Sequence, residues 1–179
     1  MEENPFNKEQ LRIVIEIAKP EDWEDYKKIR LEAIKKESMA FYVTKSSKEK
    51  EYGKSEKDWK KDLIGHNTFV VLTKNKDIPV GMAHALLRAK GDGLSEWAVR
   101  SVYLNKDFRE RGFGKKIIKL ILDEIKNRGG KDVTLNVADT QEIAKGVYEK
   151  LGFKVLVKFE PEEEDGTMWP GGYWMKKEI

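Results

Sequence analysis

RERGFGKK, residues 109–116, joins a strand-like hydrophobic run to an amphipathic helical run. Backbone N–H groups in the first turn of a helix have no partners within the helix, and together with the helix dipole they attract anions. Gly112 and Gly114 let the backbone approach a pyrophosphate closely and adopt a positive φ where the turn requires it. The loop also carries four cationic side chains, at Arg109, Arg111, Lys115 and Lys116. This stretch therefore predicts a phosphate-binding loop.

Two well-known phosphate-binding motifs do not fit this loop. A P-loop, GxxxxGK[ST], that ended on Gly114-Lys115 would require glycine at Arg109 and Ser or Thr at Lys116. A dinucleotide-binding fingerprint that started at Gly112 would require its third glycine at Ile117. What remains is the pattern R-x-x-G-x-G between a strand and a helix, which by itself fits an ordinary basic turn as well as a phosphate site.

Length and composition predict one domain over residues 1–179. Lys and Arg number 35 and Asp and Glu number 32, a mild basic excess that is not typical of a nucleic-acid-binding protein. The chain contains no cysteine and two histidines, which excludes disulfides and a cysteine nucleophile and gives no reason to expect a metal site. Without a signal-peptide pattern or an apolar run of membrane-spanning length, we expect a cytoplasmic protein with no membrane partner.

Strand and helix signals alternate along the chain. Alternating or continuous apolar runs predict strands at residues 11–17, 68–73, 78–88, 96–104, 133–137, 155–159 and 173–177. Helical spacing of apolar residues predicts helices at residues 20–36, after Ser55, from Lys115 to the Arg128-Gly129-Gly130 stop, and at 139–151. Ser55 is expected to cap its helix together with Asp58. Residues 37–55 read as a loop or a short helix.

The loop in this position resembles the Q/R-x-x-G-x-G/A signature of the GNAT superfamily of N-acetyltransferases, which holds the pyrophosphate of acetyl-CoA. A second block resembles the family pattern V-x-x-x-N-x-x-A-x-x-x-Y-x-K-x-G-F. The matching residues are Val137, Ala144, Tyr148, Lys150, Gly152 and Phe153, with Gln141 in place of the family's asparagine. The resemblance covers almost the whole chain. It implies an α/β (α+β) fold, in which about four helices flank a central mixed, mostly antiparallel twisted sheet of about six to seven strands.

The resemblance also implies that the chain binds acetyl-CoA as the acetyl donor. The expected cofactor-binding residues are Val102, Tyr103, Leu104, Arg109, Glu110, Arg111, Gly112, Phe113, Gly114, Lys115, Gln141, Lys145 and Tyr148. Backbone groups of Val102 and Leu104 would bond the pantetheine arm, and an N–H near Val102 would stabilise the charge on the carbonyl oxygen. Tyr148 would protonate the departing thiolate of CoA; the alternative is a tyrosine whose ring packs under the sheet.

Two residues, Glu96 and His84, are candidates for the general base. Many family members carry a glutamate on the fourth strand, where this chain has Ala98. Glu96 stands two residues earlier and therefore points to the same face, so it is a candidate catalytic residue acting through a water, or else a solvated acid at the start of the strand. His84 is a second candidate base, or a hydrogen-bonded neighbour of the site.

The implied activity is direct transfer of an acetyl group to a primary amine of a small molecule or peptide. The acceptor site is expected at residues 41–59 and 161–174. The aromatic and acidic residues of these segments would suit a cationic amine. The alternative is that the aromatic residues form core and the acids form a solvated loop. The residues concerned are Tyr42, Trp59, Trp169, Tyr173, Trp174 and the acids at 162–165. Two other functions stay open: a non-catalytic sensor that binds CoA or another phosphate ligand, and a nucleic-acid-binding module that uses RERGFGKK. The latter lacks interleaved aromatics, so no nucleic-acid partner is expected. A monomer and a homodimer are both compatible with the sequence.

Overall fold

The computed structural model of the protein describes residues 11–63, 65–88, 97–164 and 166–179. These residues form five α-helices: α1 (Trp23–Glu37), α2 (Lys45–Tyr52), α3 (Glu56–Leu63), α4 (Phe113–Asn127) and α5 (Glu142–Lys150). They also form nine strands: β1 (Ile13–Ile17), β2 (Thr68–Asn75), β3 (Ile78–Leu87), β4 (Trp97–Leu104), β5 (Asp132–Ala138), β6 (Lys154–Phe159), β7 (Glu162–Glu164), β8 (Thr167–Trp169) and β9 (Gly172–Glu178).

Seven strands make one sheet in the order β1-β2-β3-β4-β5-β9-β6. All neighbouring strands are antiparallel except β4 and β5, which are parallel and are joined through α4. The predicted fold class, a mixed and mostly antiparallel sheet flanked by helices, is confirmed. The short strands β7 and β8 pair with each other in the segment between the last two predicted strands.

The helix α2 lies in the segment for which the sequence left open a loop or a short helix. Thr44 supplies the signal for it, because its hydroxyl oxygen accepts a hydrogen bond from the N–H of Ser47 at 3.2 Å. The predicted cap of α3 is confirmed: Ser55 Oγ accepts from the N–H of Asp58 at 3.3 Å, and the carboxylate of Asp58 accepts from the N–H of Ser55 at 3.0 Å.

The sheet has a hydrophobic layer on each face. On one face α4 and α5 bury apolar residues such as Ile117, Ile121 and Tyr148 against strand residues such as Val99 and Leu135. On the other face α1 and α3 bury a second cluster around Tyr26 and Trp59. The two layers fix where α1, α3, α4 and α5 lie relative to the strands, and so where loops at the strand ends can meet.

The strands β4 and β5 are hydrogen-bonded neighbours over only three register pairs, from Trp97 with Val133 to Val99 with Leu135. Beyond Val99, β4 continues along β3, whereas β5 continues along β9, so the two strands diverge. The divergence leaves the edge of β4 from residue 100 to residue 104 without a partner strand among the described residues. It opens a cleft in the middle of the sheet.

A β-bulge lies on β4 beside this cleft. Met82 pairs with Tyr103 and His84 pairs with Arg100, so the single residue between them on β3 faces two residues, Ser101 and Val102. Ser101 has φ of +57°, in the left-handed region that residues other than glycine seldom adopt. A bulge of this kind bends its strand and interrupts the regular pairing, and here it lies just beyond the last residue of β4 that pairs with β5.

Candidate active site

The cleft between β4 and β5 holds a cavity of about 760 Å³. It is bounded by the unpaired stretch of β4, the loop before α4, the start of α5 and the segment that contains α2. Strand β3 and helix α1 close its inner end through His84 and Arg30. The cavity therefore connects the loop that the sequence singled out with the two segments expected to shape an acceptor site.

The loop before α4 turns through two residues in the left-handed region, Glu110 with φ of +59° and Gly112 with φ of +80°. Gly112 is the N-cap of α4, and its carbonyl accepts the first helical hydrogen bond, from the N–H of Lys116 at 3.2 Å. Apart from the adjoining residues and the backbone of α4 itself, no atom lies within 4 Å of the position that a Cβ on Gly112 or Gly114 would occupy. The first turn of α4 therefore presents free N–H groups toward an open part of the cavity, as anion binding requires.

Arg109 lines the cavity, but its guanidinium is held by the protein itself. Nε donates to the carbonyl of Leu104 at 2.7 Å, and an outer nitrogen is 2.8 Å from the carboxylate of Glu37. Arg109 thus ties the end of β4 and the end of α1 to the loop. Of the other predicted loop residues, Glu110, Gly112, Gly114 and Lys115 line the cavity, whereas Arg111 and Phe113 do not.

The side chains of the three predicted β4 residues, Val102, Tyr103 and Leu104, pack on opposite faces of the sheet. Val102 and Leu104 are half-buried, and their side chains pack against the α4 face of the sheet. The Tyr103 side chain belongs to the opposite core, where its hydroxyl donates to Glu32 at 2.8 Å, and burial raises its pKa above the ordinary range. Only the backbone of Tyr103 is therefore placed to serve a ligand in the cleft.

Tyr148 lies on α5 and lines the cavity from the side of that helix. Its ring packs edge-on against Phe153, with 6.0 Å between the ring centroids, and 6% of the residue is exposed. Burial raises the pKa of its phenol well above the ordinary range, so the group stays protonated at neutral pH. Among the described residues the hydroxyl has no hydrogen-bond partner. Tyr148 is thus a packed ring that carries a protonated hydroxyl and lines the cavity.

Gln141 and Lys145 were both predicted to bind the cofactor, but only Gln141 lines the cavity. Gln141 is the N-cap residue of α5 and lines the cavity with a side chain that makes no cap hydrogen bond. The Lys145 ammonium lies 2.6 Å from Glu149 and 5.0 Å from the centre of the Tyr173 ring, and Lys145 does not line the cavity.

Ala98 and His84 lie on the sheet face that forms the inner end of the cavity. His84 is 5% exposed, and its Nε2 is 2.6 Å from the hydroxyl of Thr68. Burial, followed by the positive charges of Arg100, Arg30 and Lys54, lowers the pKa of His84 to about 3. His84 is therefore neutral at pH 7 and a weak base. Glu96, the other candidate base, lies outside the described residues.

The inner end of the cavity contains a polar group that the sequence did not predict. We call it the inner chamber; it is lined by Tyr26, Arg30, Glu51, Lys54, Asp62, His84 and Arg100. Arg30 donates to Ser101 Oγ at 2.9 Å and lies 3.4 Å from Glu51. Lys54 lies 3.1 Å from Glu51 and 2.9 Å from Asp62. These pairs join α1, α2 and α3 to the bulge on β4. No local motif marks them. The alternation of side chains along a strand would have placed only Arg100 near the site, because it stands two residues from Ala98.

The two segments expected at the acceptor site meet at Tyr42. Its hydroxyl donates to the carbonyl of Pro170 at 3.0 Å, and its ring lies 6.0 Å from that of Trp169. Tyr42 and Trp174 line the cavity, whereas Trp59 is fully buried in the core beneath Lys54. The acids Glu162–Glu164 form the exposed strand β7 and do not line the cavity, and Asp165 lies outside the described residues. Among the described residues, this acidic run is thus separate from the cleft.

The described residues contain no group of three or more acidic or histidine side chains placed to hold a metal ion. None of the helices in the described part of the chain has the length and hydropathy needed to cross a bilayer.

Comparison with known proteins gives a family match and a set of similar folds. The family model for the acetyltransferase (GNAT) family matches residues 16–153. No curated protein sequence matches the chain. Three solved structures illustrate the similarity.

A GNAT-family acetyltransferase from Streptococcus pneumoniae is 15% identical over 94% of this chain and 99% of its own, with a TM-score of 0.73. The protein yncA from Salmonella typhimurium, solved with its cofactor acetyl-CoA, is 17% identical over 93% of this chain and 94% of its own, with a TM-score of 0.71. NAA60 from Arabidopsis thaliana, solved with a bisubstrate analogue, is 12% identical over 93% of this chain and 98% of its own, with a TM-score of 0.68. At these identities the structural matches establish the fold.

Proposed function

Because the chain belongs to the acetyltransferase (GNAT) family, we propose that it is an acetyl-CoA-dependent N-acetyltransferase that acetylates a primary amine of a small molecule or peptide. The observation that carries the proposal is the cleft between β4 and β5. It combines the phosphate-binding features of the loop before α4, an unpaired strand edge and the protonated phenol of Tyr148 in one cavity. An extended CoA thioester requires these three features in this sequence along its length.

The residues of the donor half fit acetyl-CoA. The pyrophosphate would be held by the free N–H groups at the start of α4, because Gly112 and Gly114 leave the space over them open. The amides of the pantetheine arm would bond the backbone of Val102 and Leu104, on the edge of β4 that β5 leaves unpaired. Lys115 adds a cation at the rim, while Arg109 acts by fixing the loop against Leu104 and Glu37.

Tyr148 is proposed as the general acid. Acetyl-CoA, when bound, supplies the acetyl group as a thioester that an amine can attack directly. The buried phenol of Tyr148 keeps its proton at neutral pH and would donate it to the leaving sulfur. The backbone N–H of Val102, beside the bulge at Ser101, would donate a hydrogen bond to the carbonyl oxygen as negative charge develops there.

An attacking amine must first lose its proton, since a typical alkyl ammonium is charged at pH 7. His84 is a poor base for this step, because its pKa of about 3 gives it little affinity for a proton. Ala98 offers no carboxylate where many family members have one. Glu96, acting through a water, remains our predicted base.

A non-catalytic acetyl-CoA sensor is the second candidate, and Ala98 is the observation that favours it. One assay separates the two functions. The protein is incubated with acetyl-CoA and a panel of amines and peptides, free thiol is followed, and acetyl-CoA binding is measured by calorimetry. We expect thiol release that depends on the acceptor. Binding without thiol release would favour the sensor, and absence of binding would refute both functions.

A Gly112→Asp variant tests the loop in the same calorimetry, and a Gly166→Asp variant is its matched control. The carboxylate at position 112 would project into the open space over the start of α4 and repel the pyrophosphate. A Gly166→Asp variant carries the same change at a glycine that also has positive φ, in the turn between β7 and β8, away from the cleft. Binding lost in the first variant and kept in the second would support the loop as the phosphate site.

A further inference from the structure

The inner chamber has a charge pattern that the acetyl donor does not account for. Its two acids, Glu51 and Asp62, are both engaged by the cations beside them, Arg30 and Lys54, at 2.9–3.4 Å. Arg30 is also fixed by its hydrogen bond to Ser101. The positive and negative charges of this four-residue group are therefore matched within the protein.

Arg100 is left outside this balance. It projects from β4 on the same face as Ala98 and lines the cavity, yet within the described residues its guanidinium has no hydrogen bond or salt bridge. Among the described residues that line the inner chamber, three cations, Arg30, Lys54 and Arg100, thus stand against two acids, Glu51 and Asp62.

The same positive charges act on His84, which lies beside them in the chamber. It pairs with Arg100 across β3 and β4, and after burial the largest effects on its pKa come from the positive charges of Arg100, Arg30 and Lys54. All three lower that pKa, so the chamber disfavours an additional positive charge. A purely cationic amine, which the acidic run at 162–165 had suggested, would meet this field on entering.

We propose that the amine acceptor carries a carboxylate, which the guanidinium of Arg100 binds in the inner chamber. Guanidinium and carboxylate groups match in bidentate geometry, and the interaction is favoured where neither charge has another partner. The small side chain of Ala98 leaves the strand face beside Arg100 open, so the rest of the acceptor can lie along β4 toward Val102 and Tyr148. The acceptor class is therefore amino acids, or peptides with an acidic group near the amine. This inference rests on the proposed function.

The test compares amines that differ only in the carboxylate. A set of α- and ω-amino acids is assayed beside the corresponding primary amides, the decarboxylated amines and the aminoalkylphosphonates. Since a hydrogen bond to a charged group contributes about 1.5–3 kcal/mol, we expect kcat/KM to be about tenfold or more higher for a carboxylate than for its amide. If the phosphonates have higher kcat/KM values than all the carboxylates, the group recognised is of the phosphate type and the proposed acceptor class is wrong.

Arg100→Gln tests the residue. We expect the ratio of carboxylate to amide kcat/KM to collapse toward one, mainly through KM for the carboxylate, and Arg100→Lys to restore part of it. Arg12→Gln is the matched control, because Arg12 is exposed immediately before β1 and lies outside the cavity. If the ratio is the same in wild type and Arg100→Gln, or if neutral and cationic amines are the better substrates, the inference fails while the acetyltransferase function stands.

Calorimetry separates failure of the inference from failure of the function. Amino acids are titrated into the protein saturated with CoA, which tests Arg100 without turnover. Carboxylate binding that is weakened about tenfold or more in Arg100→Gln supports the inference even if no acceptor in the panel is acetylated. Equal binding of acids and amides, or no binding of either, overturns it. Acetyl-CoA binding measured in parallel shows whether the donor half is intact.

Discussion

Replacing His84 with glutamine should make the stability of the protein less sensitive to pH between 7 and 5. His84 is buried, hydrogen-bonded to Thr68, and held at a pKa of about 3, against 6.5 for an unperturbed histidine. Between those values the unfolded chain takes up a proton at this position and the folded chain does not. The contribution of His84 to the free energy of unfolding is therefore fully present above pH 6.5 and is lost as the pH falls toward 3.

The expected magnitude follows from the interval between pH 6.5 and pH 5. Each pH unit below 6.5 costs about 1.4 kcal/mol while only the unfolded state is protonated, so His84 should account for about 2 kcal/mol of lost stability at pH 5. Asp22 and Glu32 do not interfere at this pH. Their pKa values are lowered from ordinary values of 3.8 and 4.5, so they destabilise the fold only at lower pH.

Urea unfolding at pH 7 and pH 5 checks this value. Glutamine places its terminal amide near the position of Nε2 and can keep a hydrogen bond to Thr68, so His84→Gln should fold and show a drop smaller by about 2 kcal/mol than wild type. His66→Gln, a change at an exposed histidine, serves as the control and should behave as wild type. Equal drops in wild type and His84→Gln would refute the buried, neutral state of His84.

Three further predictions concern the acid, the loop and a helix cap. Tyr148→Phe should lower kcat about 100-fold or more and leave the acetyl-CoA Kd within a few-fold, because only proton donation is removed; unchanged thiol release would exclude Tyr148 as the acid. Gly112→Ala should lower the free energy of unfolding in urea by about 1 kcal/mol, because residue 112 has φ of +80°, and should weaken acetyl-CoA binding. Gly146→Ala, inside α5, should instead raise the free energy of unfolding by up to about 1 kcal/mol. Destabilisation by both substitutions would contradict this account. Ser55→Ala should lose about 1 kcal/mol with the cap of α3, and an equal loss in the exposed Ser46→Ala would argue against capping as the cause.

The donor half of the site was largely predictable because its signals are local. A helix N-terminus, two glycines and a basic loop follow from neighbouring residues, and Gly112 does adopt a positive φ at the start of α4. Tyr148 likewise stands at a fixed distance from Gly152 and Phe153 in one helix and its C-terminal turn. Local sequence did not reveal that Arg109 is held by Glu37, or that Lys145 is paired with Glu149 outside the cavity.

The acceptor half was not predictable in the same way. The acidic run at 162–165 suggested a cationic acceptor, yet its described members, Glu162–Glu164, form an exposed hairpin strand away from the cleft. The charges that do line the inner chamber come from α1, α2 and the residues after it, α3 and β4. The hydrogen bond of Arg30 to Ser101 joins residues 71 positions apart in the chain. No motif of fixed spacing joins them.

The sequence by itself determined the strand–loop–helix unit around RERGFGKK and the strand and helix periods of the sheet and its layers, because these depend on residues close together in the chain. Only the tertiary structure decided where β4 parts from β5, which face of β4 carries Arg100, and which acids already have partners. Charge balance in a cavity is a sum over side chains that distant segments bring together. Its sign is therefore fixed by packing rather than by any stretch of sequence.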